Sequence, residues 1–97
     1  MKENKKELFF IINTYGTKNQ EDKAIEELAE LQQAILKHRE CNNCETEKSI
    51  IDEIADVSIM LEQLKIIHSC HKEVEERMDY KINRQIKRIK EKYNIVD

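Results

Sequence analysis

Apolar residues recur at intervals of three and four along most of the chain, the spacing that places them on one face of an α-helix. The pattern predicts four helices, at about residues 3–14, 17–39, 47–68 and 71–93. The apolar stripes of the last three helices are Ala24, Leu28, Leu31 and Ile35; Ile50, Ile54, Val57, Leu61 and Leu64; and Val74, Met78, Ile82, Ile86, Ile89 and Tyr93. Each helix has one apolar face to bury, which predicts that the helices pack on one another.

Three short breaks separate these helices. Gly16 can adopt the left-handed conformation that closes a helix, and Thr17 followed by Gln20 has the pattern of a capping box. An Asn-Asn pair within residues 41–46 favours a loop, and residues 68–70 form the last break. Short connections favour antiparallel neighbours, so we expect an all-α fold with four helices in an antiparallel, bundle-like domain.

Composition supports the same fold class. The 97 residues include no proline and one glycine, and 38% of them are charged. The scarcity of helix breakers, together with the abundance of Glu, Lys, Ile and Leu, favours long helices. A chain of this length forms one domain, residues 1–97, whose thin core would benefit from oligomerisation.

Charge and cysteine content restrict the possible partners. The formal net charge of −3 argues against a general nucleic-acid-binding protein, which normally carries a basic excess. No segment has the ~18–20 consecutive apolar residues that a membrane span requires, and no cleavage site follows the basic start. Three cysteines, an odd number, fit reduced thiols better than a disulfide framework. We therefore expect a cytoplasmic protein that binds neither nucleic acid nor membrane.

Cys41 and Cys44, with His38 nearby, have the spacing of zinc ligands. The remaining cysteine and histidines lie at residues 68–71, which an antiparallel hairpin would place ~35 Å away at the other end of the third helix. A zinc site within one chain is therefore not expected, although a site between chains stays open. Otherwise these residues are exposed loop thiols and surface histidines.

Two acidic motifs stand out, Glu27-x-x-Glu30 in the second helix and Glu53-x-x-Asp56 in the third. Residues three apart share a helix face. In an antiparallel hairpin, Glu30 lies level with Glu53 and Glu27 with Asp56, because both pairs have their midpoint inside the predicted loop. The register therefore predicts that four carboxylates converge at one height, at the edge of the core.

Four like charges at such a position repel one another and raise one another's pKa values, and a cation relieves the repulsion. Oxygen ligands suit Mg²⁺ or Mn²⁺, which would accept substrate phosphates. A di-iron site would need Glu-x-x-His motifs, which neither helix supplies here. The alternative is that these are ordinary surface acids in a glutamate-rich protein.

With these motifs the sequence resembles the MazG-like, all-α nucleoside triphosphate pyrophosphohydrolases, whose hallmark is E-x-x-E followed after one helical hairpin by E-x-x-D. The resemblance covers about residues 15–89. It includes, besides the four acids, Tyr15-Gly16, Gln20 one turn before Ala24, the doubled Glu26-Glu27 and Ala55-Asp56-Val57.

The resemblance implies Mg²⁺-dependent hydrolysis between the α and β phosphates, which gives a nucleoside monophosphate and pyrophosphate. It implies Glu27, Glu30, Glu53 and Asp56 as the metal ligands, with Mn²⁺ as an alternative to Mg²⁺. One carboxylate, Glu27 or Glu26, would act as the base for the attacking water. A housecleaning role in the nucleotide pool is a further expectation from the resemblance.

A triphosphate also needs cationic side chains. The fourth helix carries a basic stripe of Arg77, Lys81, Arg84 and Arg88, one residue off its apolar stripe. We expect Lys81, Arg84 and Arg88 to bind phosphate, the alternative being a solvated face of ion pairs. Gln20 is a further candidate for substrate binding, unless it only closes the capping box.

The run Phe9-Phe10-Ile11-Ile12 is too wide for one face of an amphipathic helix. In so small a domain it favours a homodimer or homotetramer, which the resemblance also implies. Two other functions stay open. The chain is alternatively a non-catalytic helical interaction module, with this run binding a partner, or a module that senses nucleotides or metal without turnover.

Overall fold

A computed structural model describes residues 4–96 of the chain. Four helices follow one another, α1 (Lys5–Tyr15), α2 (Thr17–Glu40), α3 (Cys44–Ile67) and α4 (His71–Lys92). Residues 4–96 contain no strand. The all-α prediction is therefore confirmed, and most helix ends lie within two residues of their expected positions. The predicted start of the first helix, at residue 3, lies outside the described residues.

Gly16 separates α1 from α2. Its φ of 93° and ψ of 148° are available to glycine and strained for other residues, and its N–H donates to the Ile12 carbonyl at 2.8 Å. The predicted capping box is wrong, because Gly16 is the N-cap and Thr17 already belongs to the helix, without a side-chain cap. The Gln20 side chain instead points between α2 and α3.

The turn between α2 and α3 is shorter than expected, since α3 begins at Cys44 rather than after residue 46. Asn43 is its N-cap, and its side chain accepts from the Thr46 N–H at 3.0 Å while its own N–H donates to Thr46 Oγ1 at 3.1 Å. The Thr46 hydroxyl also lies 2.8 Å from the Cys41 carbonyl and 2.8 Å from His38 Nδ1. Thr46 thus joins both helices to the turn that sets their register.

α2 and α3 form the main antiparallel hairpin, and α1 packs across both helices. The buried apolar side chains are few: Leu8, Ile12, Ala24, Ala34, Val57 and Met60. Gln20 and Gln63, which are equally distant from the turn, meet through a hydrogen bond of 2.8 Å. This pair fixes the hairpin at the register expected from the acidic motifs.

α4 differs from expectation, because none of its residues is buried. Of the described helices, only α3 approaches the α4 backbone closely. The chain extends over 52 × 38 × 23 Å, with a radius of gyration of 17.2 Å, whereas a compact chain of this length has about 12.5 Å. The apolar stripe of α4 therefore faces water in the single chain.

Within residues 4–96, no helix is both long enough and apolar enough to cross a membrane.

Candidate metal centre

Three of the four predicted ligands form a compact group. Glu27, Glu30 and Glu53 each contribute a carboxylate oxygen, and these oxygens all lie within 4.8 Å of one another. The first two lie one turn apart on α2, and the hairpin places Glu53 of α3 opposite them. Such spacing is short enough for one cation to contact all three carboxylates.

The two innermost carboxylates of this group, Glu27 and Glu53, each have one buried oxygen without a hydrogen-bond partner. Glu27 is only 5% exposed, and its Oε1 lies 3.2 Å from Lys23 Nζ. Its Oε2 is buried and has no hydrogen-bond partner, and the same holds for Glu53 Oε2. A buried acceptor without a partner costs about 1–3 kcal/mol, and more if it is charged. The donor set therefore fits a hard cation, which would satisfy both oxygens.

The pKa of Glu53 reflects the burial and the neighbouring acidic side chains of this group. Burial raises the pKa of its carboxyl, and the charges of Glu30, Glu27 and Asp56 raise it further, as does the close approach of the Glu27 carboxyl. In the absence of metal, Glu53 therefore holds a proton more tightly than an isolated glutamate does.

Asp56, the fourth predicted ligand, lies beside Glu27. Its pKa is raised by burial, then by the charge and the close approach of the Glu27 carboxyl, and by the charge of Asp52; the Lys23 ammonium opposes these effects. Asp56 is outside the group of three oxygens within 4.8 Å. It lines the adjoining cavity together with Glu27.

The cavity has a volume of about 480 Å³, within the range of small-molecule sites. It opens between the end of α1, the first half of α2 and the middle of α3. The lining residues are Tyr15, Asn19, Gln20, Lys23, Glu26, Glu27, Asp56, Ile59 and Met60. The lining thus combines three acidic side chains and one lysine with amide, aromatic and aliphatic side chains.

Gln20 lines this cavity, and its side-chain amide is hydrogen-bonded to a buried residue of α3. Its Nε2 donates to Gln63 Oε1 at 2.8 Å, and Gln63 is the most buried side chain among residues 4–96, at 2% exposure. Sequence reasoning did not select Gln63. A signal was present, because Gln63 follows Val57 and Met60 on the inward face of α3, where a polar side chain needs a partner.

Lys23 and Tyr15 also line the cavity without having been predicted as site residues. Lys23 lies one turn before Glu27, a spacing that indicates an ion pair on a helix. The hydrogen bond with Glu27 and its charge raise the pKa of Lys23, so the ammonium stays charged. Glu26, one of the two predicted bases, lines the same cavity and is exposed.

The predicted phosphate-binding residues of α4 do not line this cavity in the single chain. Lys81 and Arg88 are exposed. The Arg84 guanidinium lies 5.5 Å from the centre of the Tyr80 ring, and its Nε is buried without a hydrogen-bond partner. The role of Lys81, Arg84 and Arg88 in substrate binding stays a prediction.

Comparison with protein families, with curated proteins and with solved structures gave no significant match for this chain in any of the three. The resemblance to the MazG-like enzymes therefore rests on the motifs quoted above.

Proposed function

We propose that the chain is a divalent-metal-dependent nucleoside triphosphate pyrophosphohydrolase whose site is the carboxylate group and the cavity beside it. The observation that supports this most is the pair of buried oxygens without partners, Glu27 Oε2 and Glu53 Oε2. Ordinary surface acids are solvated, whereas these two oxygens are buried. Glu27 and Glu53 lie across the hairpin from each other with carboxylate oxygens within 4.8 Å, and Glu27 lines a cavity of ligand size.

Glu27, Glu30, Glu53 and Asp56 would hold the metal. Four oxygen ligands without sulfur or imidazole suit Mg²⁺, with Mn²⁺ as an alternative. Such a cation would neutralise phosphate charge and make a water molecule more acidic. The hairpin would fix the position of these carboxylates, because the Gln20–Gln63 hydrogen bond joins α2 to α3.

The remaining cavity residues would position the substrate. Lys23 provides a charged ammonium at the wall, suited to a phosphate oxygen. Glu26 is a better candidate for the base than Glu27, because Glu27 is engaged in the metal group while Glu26 is exposed to the cavity. Tyr15 and Gln20 would contact the nucleoside. The products would be a nucleoside monophosphate and pyrophosphate, in keeping with a role in controlling the nucleotide pool.

The test is incubation with Mg²⁺ and a panel of ribo- and deoxyribonucleoside triphosphates, followed by separation of the products. We expect monophosphate and pyrophosphate, and no activity in EDTA. Glu53→Gln should lower activity by about a hundredfold or more while circular dichroism shows an unchanged helix content. Glu40→Gln is the matched control, since Glu40 lies at the end of α2, ~15 Å from Glu30 along the helix, and should leave activity unchanged.

A second candidate function is a non-catalytic interaction module, because the chain exposes large apolar side chains, among them Phe10 at 72% exposure. Titration calorimetry separates the candidates. An enzyme binds Mg²⁺ and turns nucleotide over, and a sensor binds both without turnover. An interaction module binds neither, and that result, together with no hydrolysis of any nucleotide in the panel, would overturn the proposed function.

A further inference from the structure

Two side-chain amides line the cavity near the start of α2. Asn19 and Gln20 are consecutive residues of that helix, and both belong to the lining. Gln20 lies about 10 Å from Glu27 along the helix axis, because the rise is ~1.5 Å for each residue between them. In the proposed function the metal and the phosphates lie at Glu27, so the nucleoside end of a substrate would extend toward the two amides.

Each of these amides donates from its nitrogen to another group of the protein. Gln20 Nε2 donates to Gln63 Oε1 at 2.8 Å, and Asn19 Nδ2 donates to the Tyr15 carbonyl at 2.7 Å. Among residues 4–96, no group donates to Gln20 Oε1 or to Asn19 Oδ1. An amide oxygen is an acceptor with two lone pairs. The two lining residues therefore each keep an acceptor oxygen that has no partner within this part of the chain.

Gln63 holds the Gln20 amide in one orientation without lining the cavity itself. Turning the Gln20 amide over alone would bring its oxygen against Gln63 Oε1, and two acceptors form no hydrogen bond. The Gln20 oxygen therefore stays on the side of the amide away from Gln63. Gln20 is only 8% exposed, so a ligand that fills the cavity without a donor for this oxygen would leave it buried and unpaired, which is unfavourable.

The other lining residues near the amides suit a flat aromatic ring. Tyr15, Ile59 and Met60 line the same cavity, and the Tyr15 side chain is exposed enough for a ligand to stack on it. Aromatic rings stack on tyrosine and pack well against methionine sulfur. Stacking accepts every base, so hydrogen bonds have to provide any preference among bases.

The two acceptor oxygens discriminate between bases by the group that a base presents to them. Adenine and cytosine carry an exocyclic amino group, which donates, whereas thymine carries a carbonyl oxygen there, which only accepts. An amino group has two hydrogens and can serve two acceptors at once. A carbonyl oxygen in the same place would face them without forming a hydrogen bond. The lining therefore fits a base with an amino group.

We propose that the cavity selects nucleotides whose base carries an exocyclic amino group, with Gln20 and Asn19 as the acceptors. Gln63 is the positioning residue, because it keeps the Gln20 oxygen available without touching the substrate. The inference rests on the proposed function, which places the phosphates at the metal group and thereby the base at the two amides.

Two pairs of nucleotides test the preference. ATP and ITP share a purine, CTP and UTP share a pyrimidine, and within each pair a carbonyl oxygen replaces the amino group. We expect kcat/KM with Mg²⁺ to favour the amino member by about tenfold or more in the pair that is hydrolysed faster. A smaller ratio in that pair, or a preference for the carbonyl member, would overturn the proposal.

Gln63→Met tests the positioning role, since it removes the acceptor and keeps an unbranched side chain. The ratio within the pair should fall toward one, because the Gln20 amide can then turn over, while kcat for the amino member changes far less than the ratio. Gln63→Glu keeps an acceptor and should keep the ratio. Gln85→Met makes the same exchange at an exposed position of α4 and is the control.

A folded Gln63→Met variant with the wild-type ratio would contradict the positioning role. Circular dichroism verifies that the variant is folded at the assay temperature. If it does not fold, Gln20→Met removes the acceptor oxygen directly and should lower the ratio in the same way; an unchanged ratio there would refute the selection itself.

Titration calorimetry with the monophosphates separates this inference from the proposed function. AMP should bind more tightly than IMP, or CMP more tightly than UMP, in the presence of Mg²⁺. Turnover of triphosphates with no amino preference would leave the enzyme and remove the selection. Tighter binding of the amino monophosphate without any turnover would leave the selection and remove the enzyme, and equal or absent binding without turnover would remove both.

Discussion

Removing the charge of Glu27 should stabilise the metal-free protein and abolish its response to metal. The perturbation is Glu27→Gln, which keeps the shape of the side chain. Glu27 is 5% exposed, and one of its oxygens is buried without a partner. If the side chain is a metal ligand, the cost of burying it is tolerated because the cation compensates for it; a purely structural glutamate would have a hydrogen-bond donor at that oxygen.

The magnitude follows from two opposing contributions. A neutral amide relieves the buried charge, which contributes about 1–3 kcal/mol. The substitution also weakens the contact with Lys23 Nζ at 3.2 Å, an ion pair one turn apart whose contribution is about 0.2–0.5 kcal/mol. The net gain in the free energy of unfolding in EDTA is thus about 0.5–3 kcal/mol. Each kcal/mol raises the Tm of a domain of this size by about 4–8 °C.

The assay is thermal unfolding by circular dichroism, at one protein concentration, with EDTA and with a series of Mg²⁺ concentrations. Wild type should gain about 2.7 kcal/mol when Mg²⁺ reaches a hundred times its dissociation constant, and Glu27→Gln should gain almost nothing. Glu40→Gln is again the control and should follow wild type. If Glu27→Gln were less stable than wild type in EDTA and responded equally to Mg²⁺, the reasoning from the buried oxygen would be refuted.

Three other predictions concern pH, the hairpin register and the turn. The pKa values of Glu53 and Asp56 are raised in the folded state, so just above the ordinary carboxyl range the native state binds more protons than the unfolded state. Stability should therefore fall as pH rises through that range, as measured by urea denaturation in EDTA. Saturating Mg²⁺ should remove this pH dependence. Gln63→Leu leaves the buried Gln20 amide without its acceptor and should lower the free energy of unfolding by about 1–3 kcal/mol, measured by urea denaturation. Changing both glutamines to leucine should restore most of that loss. An equal loss in the double variant would contradict the pairing. Thr46→Val keeps the bond from its own N–H to Asn43 but removes the hydroxyl that contacts the Asn43 N–H, the Cys41 carbonyl and His38 Nδ1. It should lower the unfolding free energy by about 1–2 kcal/mol, while Ser49→Ala, one turn later on the exposed side, should have a small effect.

The helices were predictable because their information is local. Apolar spacing and helix ends depend on residues within one or two turns, and the structure reproduces the four helices to within a few residues. The register of α2 against α3 was also predictable, because a short turn leaves little freedom in how the two helices align. Glu27, Glu30 and Glu53 meet for that reason.

Tertiary structure decided which polar groups are buried, and against what. The spacing of Thr17 and Gln20 suggested a capping box, but Gln20 instead meets Gln63 across the hairpin, since contact between helices outweighs a local pattern. Two further features depend on how the helices pack together. One is the burial of Glu27 Oε2 and Glu53 Oε2 without hydrogen-bond partners, and the other is the position of Lys23 at the cavity.

The position of α4 marks the limit of sequence reasoning about this protein. Its stripe predicts only that one face must be buried. A stripe does not specify which surface buries it, because hydrophobic attraction has no direction. In the single chain α4 approaches α3 alone among the described helices and leaves its apolar face in water. The sequence thus determined the helices and the α2–α3 register that brings the acids together. The tertiary packing decided that α4 lies away from the site.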